Sequence, residues 1–119
     1  MSDRRALILK RFAVAAMAHH EALEAMDEER ANAQARMVAA LHEVLLQEGP
    51  GGREGLLGLV DSAAPAVAGM AAVYLLHLYP DRCLGTLRRI AAEPGLLGFR
   101  ASIVVERWEA GEWIPPGKQ

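Results

Sequence analysis

The fold of this chain is decided by residues 54–80, EGLLGLVDSAAPAVAGMAAVYLLHLYP. The apolar residues at the start of this stretch predict a short helix over Glu54–Val60. Asp61-Ser62 then offers an N-cap for a longer helix, because these side chains accept hydrogen bonds from the free N–H groups of a first turn. We expect the longer helix to cover Ala66–Tyr79 and to end at Pro80. The segment therefore predicts a pair of helices joined by a tight turn.

This helix pair is repeated 30 residues further along the chain. A second short helix is predicted over 80–92, Glu93-Pro94-Gly95 breaks it, and a longer helix follows over Leu96–Glu109. Stacked pairs of this kind bury their apolar faces on one another in a helical solenoid, which normally needs about three units. The 30-residue shift superposes Leu57 on Leu87, Val60 on Ile90, Ala71 on Ala101 and Leu75 on Val105.

The residues before the two pairs predict a long helical hairpin. Apolar residues from Ile8 to Met26 recur at intervals of three and four, which places them on one face of a first helix. A second helix is expected over 28–47, and Gly49-Pro50-Gly51-Gly52 ends it. The prediction is a single all-α domain that consists of the hairpin (1–48), a Gly/Pro linker (49–53), two helix pairs (54–110) and an irregular tail (111–119).

The composition agrees with closely packed helices. Hydrophobic residues make up 52% of the chain and aromatic residues only 5%. The 22 alanines and 16 leucines favour helices over a β-sandwich or barrel, which would use more β-branched and aromatic residues. The formal net charge of −2 argues against a general nucleic-acid binder.

Two further features bear on the setting of the protein. The single cysteine, Cys83, excludes an internal disulfide and favours a reducing, cytoplasmic environment. Residues 62–80 form an uncharged run of 19, long enough to span a bilayer. Because this run contains two prolines and much alanine, we expect a buried helix and not a membrane span.

The turn inside the first helix pair is similar to a known repeat. Leu56–Val67, LLGLVDSAAPAV, resembles a HEAT-type repeat, whose turn carries an Asp, then a Pro, then a Val. Ala68 stands where such repeats usually have an Arg that ties the turn together. Nearly the whole chain resembles a small bacterial family of HEAT-like domains without an agreed activity. The segments that carry this resemblance are Leu9–Phe12, Val67–Pro80 and Trp108–Gly111.

The resemblance implies a short α-solenoid that binds a protein. The binding surface would be built from the second helix of each pair, here 66–79 and 96–109. The resemblance supplies no catalytic residue. It also implies an adaptor or the immunity partner of a toxin, which are frequent roles of small helical proteins of this kind in bacteria.

Side chains with catalytic or metal-binding chemistry are few and poorly spaced. His19 and His20 are adjacent, so they point about 100° apart on a helix and do not suit one metal ion. Cys83 and His77 flank the turn at Pro80 as a thiol and an imidazole, but a core cysteine usually behaves as a small hydrophobic residue. We therefore expect no catalytic residue, no metal and no cofactor.

Candidate contacts for a protein partner lie on the two longer helices and in the tail. The uncharged helix 66–79 lacks a polar face, which predicts either burial on most sides or coverage by a partner. Trp113 either caps the last helix or anchors a partner. The candidate contact residues are Tyr74, His77, Tyr79, Arg100, Arg107 and Trp113.

The favoured function is non-enzymatic protein binding, with neither nucleic acid nor membrane as a partner. One alternative is an enzyme or small-molecule binder with a pocket that contains His19, His42 or His77. Another alternative is a homodimer whose interface is the uncharged helix 66–79.

Overall fold

The computed structural model describes residues 2–116, which form six helices and no strand. The all-α class predicted from the sequence is therefore confirmed. Residues 117–119 of the predicted tail lie outside the described residues. The helices are α1 (Ser2–Glu24), α2 (Glu28–Gln47), α3 (Pro50–Leu59), α4 (Pro65–Leu75), α5 (Pro80–Ala91) and α6 (Leu96–Glu109).

The helices are grouped into two compact units, of which one ends at Leu59 and the other begins at Val60. In the N-terminal unit α1 packs along α2, and α3 packs against both of them. In the C-terminal unit α5 packs against α4 and α6, and α4 also contacts α6. The first short helix of the predicted repeats, α3, therefore makes its helix contacts in the unit that holds the hairpin.

The apolar faces of α1 and α2 form the core of the N-terminal unit. Phe12 is completely buried in α1, and Val38 and Leu45 are completely buried in α2. His19 is also buried, as expected for the inner face of α1. On the predicted apolar face of α1, Leu23 is half-buried and Met26 is exposed.

Met26 was predicted on the buried face of a helix, and this prediction is wrong. α1 ends at Glu24, and Met26 lies in the connecting turn with φ 57° and 91% of its surface exposed. The backbone N–H of Asp27 donates to the carbonyl of Ala22, and that of Met26 donates to the carbonyl of Leu23. These two bonds form a Schellman motif, in which the left-handed position usually belongs to glycine.

The predicted linker over 49–53 is shorter in the structure. Only Glu48 and Gly49 lie between α2 and α3, Gly49 with φ 79°, and α3 already begins at Pro50. Proline suits the first helical position because its missing N–H would have no partner there. Gly52 brings α3 close to α2, since a Cβ at Gly52 would lie 1.9 Å from the carbonyl oxygen of Leu45.

α4 agrees with the prediction of burial on most sides but is shorter than expected. It ends at Leu75, and residues 76–79 form a turn in which the N–H of Leu78 and of Tyr79 donate to the carbonyl of Leu75. The prediction that this helix runs to Tyr79 is wrong because Pro80 disfavours helical backbone in the residue before it. The buried residues of α4 are Ala66, Val67, Ala68, Gly69, Ala71, Ala72 and Leu75.

The start of α4 also differs from the predicted cap. Ala64 occupies the N-cap position, and the hydroxyl of Ser62 accepts a hydrogen bond from the backbone N–H of Ala64 at 3.2 Å. Asp61 forms an ion pair with Arg82 of α5. These two side chains therefore organise the turn before α4 and tie it to α5.

α5 and α6 pack closely where α5 ends. A Cβ at Gly98 would lie 1.9 Å from the carbonyl oxygen of Glu93, so only glycine fits at this contact. Arg88 pairs with Glu109 at 3.1 Å and links the two helices at the surface. α6 ends in a Schellman motif with Gly111 at φ 73°, which confirms the predicted cap.

Candidate functional site

The side of α6 that faces away from the core carries the only exposed Phe, Trp or Tyr side chain among residues 2–116. Phe99 is 62% exposed, and Ile103, one turn further along the helix, is half-buried. The buried residues of α6, among them Ala101 and Val105, lie on the opposite side. α6 therefore presents apolar surface on two sides, although only one of them belongs to the core.

Two arginines lie along one side of Phe99 and Ile103. Arg100 and Arg107 are exposed and seven residues apart, so two helical turns place them on the same side of α6. Neither forms an ion pair with any residue in 2–116. Partial burial lowers the pKa of the Arg100 guanidinium, which remains charged at neutral pH.

Three other arginines of the C-terminal unit have side-chain partners within it. Arg82 is paired with Asp61 and Arg88 with Glu109. Arg89 donates a hydrogen bond to the hydroxyl of Thr86 at 3.3 Å. Among residues 2–116, Arg100 and Arg107 differ from these three because they form neither an ion pair nor a side-chain hydrogen bond.

Local contacts hold the helix on which Phe99 stands. Gly98, the residue before Phe99, packs directly on the end of α5. The hydroxyl of Ser102 donates to the carbonyl of Phe99 at 2.6 Å. The backbone at Phe99 is thus fixed by its neighbours, while its ring remains outside the core. We call Phe99, Arg100, Ile103 and Arg107 the α6 face.

The six contact residues predicted from the sequence occupy several places. Tyr74 is half-buried in α4, where burial raises the pKa of its hydroxyl. His77 is exposed in the turn after α4, and Tyr79 is half-buried at the N-cap of α5. Arg100 and Arg107 belong to the α6 face, so the structure brings two of the six together with Phe99.

Trp113 follows α6 in the non-helical tail. Its side chain is half-buried, and its Nε1 atom is buried with no hydrogen-bond partner among residues 2–116. A buried indole N–H usually has a partner. The Nε1 end of the Trp113 ring therefore lies against the protein.

Phe99 was missing from the sequence prediction. Leu96, Leu97, Phe99, Ile103 and Val104 surround the helix, so the pattern alone does not tell which of them face the core. One signal was available, since Phe99 and Ile103 are four residues apart and share the side of Arg100 and Arg107. A helix with more apolar residues than one core face needs is typical of an interaction surface.

The histidines and the cysteine do not form a site in the part of the chain that the structure describes. His19 is buried and His42 half-buried, and the Nε2 atom of His20 pairs with Glu24 at 3.1 Å. No group of three metal-binding side chains occurs in 2–116. Cys83 is buried, which raises the pKa of its thiol to about 11 despite the opposing charge of Arg82. Such a thiol is a poor nucleophile at neutral pH.

A groove of about 490 Å³ lies between α1 and α2. Its walls are mainly apolar, with Leu7, Val14, Met37 and Leu41 among them, and Lys10 and Arg11 are its charged members. No histidine lines this groove.

No helix within residues 2–116 is both long enough and apolar enough to cross a membrane. No protein family, curated protein or solved structure matches this chain.

Proposed function

We propose that this chain is a non-enzymatic protein-binding module that engages its partner through the α6 face. The observation that carries the proposal is that Phe99, 62% exposed, lies beside two arginines without ion-pair partners in the described residues. Aromatic residues and arginine are enriched among the residues that dominate binding energy at protein interfaces. The α6 face combines both on one fixed helix.

The chemistry of the α6 face defines the partner. Phe99 requires an apolar pocket in which its ring loses contact with water. Arg100 and Arg107 require carboxylates at the edge of that pocket, with which a guanidinium forms strong bidentate bonds. The partner is therefore a protein with an apolar recess bordered by acidic side chains.

The proposal includes the HEAT-like arrangement of the second half of the chain. In such folds the second helix of each pair builds the binding surface, and α6 holds that position in the pair α5–α6. The internal repeat supports this assignment, because Ala71 and Ala101 are both buried, as are Leu75 and Val105. The proposed setting is cytoplasmic, and the proposed role is that of an adaptor or a toxin-immunity protein.

The test uses a partner that is captured from the native host, purified and measured by titration calorimetry. Phe99→Ala and Arg107→Glu are each expected to raise the dissociation constant by about tenfold or more, as truncation of an interface hot spot does. Met26→Ala is the matched control, since Met26 is a more exposed apolar residue on the α1–α2 turn.

Equal affinity of all four proteins would overturn the assignment of the α6 face. A loss of binding in the control as large as that in Phe99→Ala would also contradict it. The helical content of each variant, measured by circular dichroism, has to equal that of the wild type.

A further inference from the structure

α1 carries a line of exposed side chains that its own hairpin leaves uncovered. Leu7, Val14 and Met17 are all exposed, and Lys10 lies between the first two. Their spacing of three and four residues places them along one stripe of the helix. The apolar groove between α1 and α2 runs beside this stripe, with Met37 of α2 as its exposed wall.

The charges on this stripe change sign along the helix. Lys10 lies toward the N-terminus and forms no ion pair with a residue in 2–116. Glu21 and Glu24 lie at the C-terminal end of α1 and are exposed, with Arg30 of α2 3.9 Å from Glu21 and His20 3.1 Å from Glu24. Acidic residues at a C-terminus oppose the helix dipole, which favours cations there. Ion pairs at the surface contribute little to stability, so these two leave Glu21 available to a cation of another chain.

We infer that α1 packs antiparallel against α1 of a second copy of this chain and forms a two-fold symmetric dimer. In a two-fold interface every contact between two different residues occurs twice. When Val14 lies against Met17 of the second copy, the same register sets Lys10 against Glu21 of the second copy. One arrangement thus joins the apolar centre of the stripe and pairs opposite charges on both sides of it.

Other occupants of the stripe fit the charges less well. A parallel copy would set Lys10 against Lys10 and Glu21 against Glu21, and like charges in contact disfavour an interface. An acidic helix from a different protein would complement Lys10 but would be repelled by Glu21 and Glu24. A basic helix would meet the reverse conflict. An antiparallel copy of α1 has the same change of sign in the opposite direction and complements Lys10 and Glu21 together, while Leu7 and Glu24 meet at the two ends of the stripe.

The test is sedimentation equilibrium of the full chain from about 1 μM to about 1 mM at low salt. The wild type is expected to show a concentration-dependent equilibrium between monomer and dimer. Lys10→Glu and Glu21→Lys are each expected to raise the dimer dissociation constant by about tenfold or more, because each sets two like charges together twice. The double variant K10E/E21K exchanges the charges and is expected to restore dimerisation to within about threefold of the wild type.

The controls make the same changes of charge away from the stripe. Arg53→Glu on α3 matches Lys10→Glu, since both positions are exposed. Glu109→Lys on α6 matches Glu21→Lys, because Glu109 is also exposed and also pairs with an arginine. These variants are expected to dimerise like the wild type.

A wild type that is monomeric at every concentration would overturn the inference, including the case in which the stripe binds a different protein. A double variant that dimerises no better than the single variants would overturn the antiparallel register. The inference rests on residues of α1, and the proposed function rests on residues of α6, so either can fail without the other.

Discussion

Gly98 lies so close to the turn after α5 that it leaves no room for a side chain. A Cβ at this position would lie 1.9 Å from the carbonyl oxygen of Glu93, a backbone atom that cannot rotate away. Gly98→Ala is therefore expected to lower the free energy of unfolding by about 2 kcal/mol or more, as overpacking does. Urea unfolding followed by circular dichroism measures this change.

Gly85 provides the matched control for Gly98. It also lies within a helix, α5, but a Cβ on it would meet no atom of the described residues within 4 Å. Gly85→Ala is expected to raise the free energy of unfolding by about 0.5–1 kcal/mol, because alanine restricts the unfolded chain and favours the helix. Equal effects of the two substitutions would show that the close approach of α6 to α5 is not what Gly98 provides.

Cys83 makes the stability of the protein depend on pH in the alkaline range. Burial raises the pKa of its thiol to about 11, against 9.0 for an ordinary cysteine. Below pH 9 the thiol is protonated in both the folded and the unfolded chain, so its full contribution to the free energy of unfolding is retained. Between pH 9 and 11 the unfolded chain loses the proton more readily, and stability is expected to fall as the pH rises.

This dependence is measured by urea unfolding at about pH 8 and about pH 10.5, in the wild type and in Cys83→Ala. All other ionisable groups are present in both proteins, so the difference between them isolates the thiol. The loss of stability on raising the pH is expected to be smaller in Cys83→Ala. An equal loss in both proteins would contradict the assignment to Cys83.

α1 is followed by a residue that is unfavourable for the left-handed backbone conformation. α2 and α6 are followed by glycine at the left-handed position, Gly49 and Gly111, whereas α1 is followed by Met26 with φ 57°. Met26 is 91% exposed, so its side chain gives little packing energy in return. Met26→Gly is expected to raise the free energy of unfolding by about 0.5–1 kcal/mol.

Met26→Ala separates the two explanations for such a gain. Alanine removes the same side-chain atoms but retains the Cβ that disfavours positive φ, so we expect no stabilisation from it. If both variants are equally stable in thermal unfolding, the backbone conformation at residue 26 is not the cause.

The sequence predicted the elements whose ends carry their own signals. Glu28–Gln47 was predicted with the bounds that α2 has, because the Asp27 side chain accepts a bond from the N–H of Arg30 and Gly49 follows the helix. The bounds of α3 and α4 were missed at a proline. Pro50 was assigned to a linker although it begins α3, and the effect of Pro80 on the residues before it was underestimated.

The α6 face could be predicted only in part. Arg100 and Arg107 followed from the position of the last helix in the repeat, whereas Phe99 was missed. Whether an apolar residue of α6 faces the core depends on how the helix is rotated against α5, and the contact of Gly98 with Glu93 sets that rotation. This contact joins residues five positions apart across the turn between α5 and α6 and has no signature in the pattern of either helix.

The proposed dimer interface and the α6 face belong to different units, and together they would allow bivalent binding. A dimer joined through α1 would carry two copies of the α6 face. A partner with two acidic-rimmed recesses would then be held at both, and the second binding event would be intramolecular. Disruption of the dimer by Lys10→Glu is therefore expected to weaken binding to a bivalent partner and to leave each single α6 contact unchanged.

Photo-crosslinking in the native host tests directly whether the α6 face contacts a protein partner. A photoreactive phenylalanine analogue replaces Phe99 in one protein and Met26 in another, since both side chains are exposed. We expect a single covalent product from position 99, and we expect it to be lost when Arg107→Glu is added. We expect no product from position 26. Crosslinking at position 26 but not at position 99 would contradict the proposal.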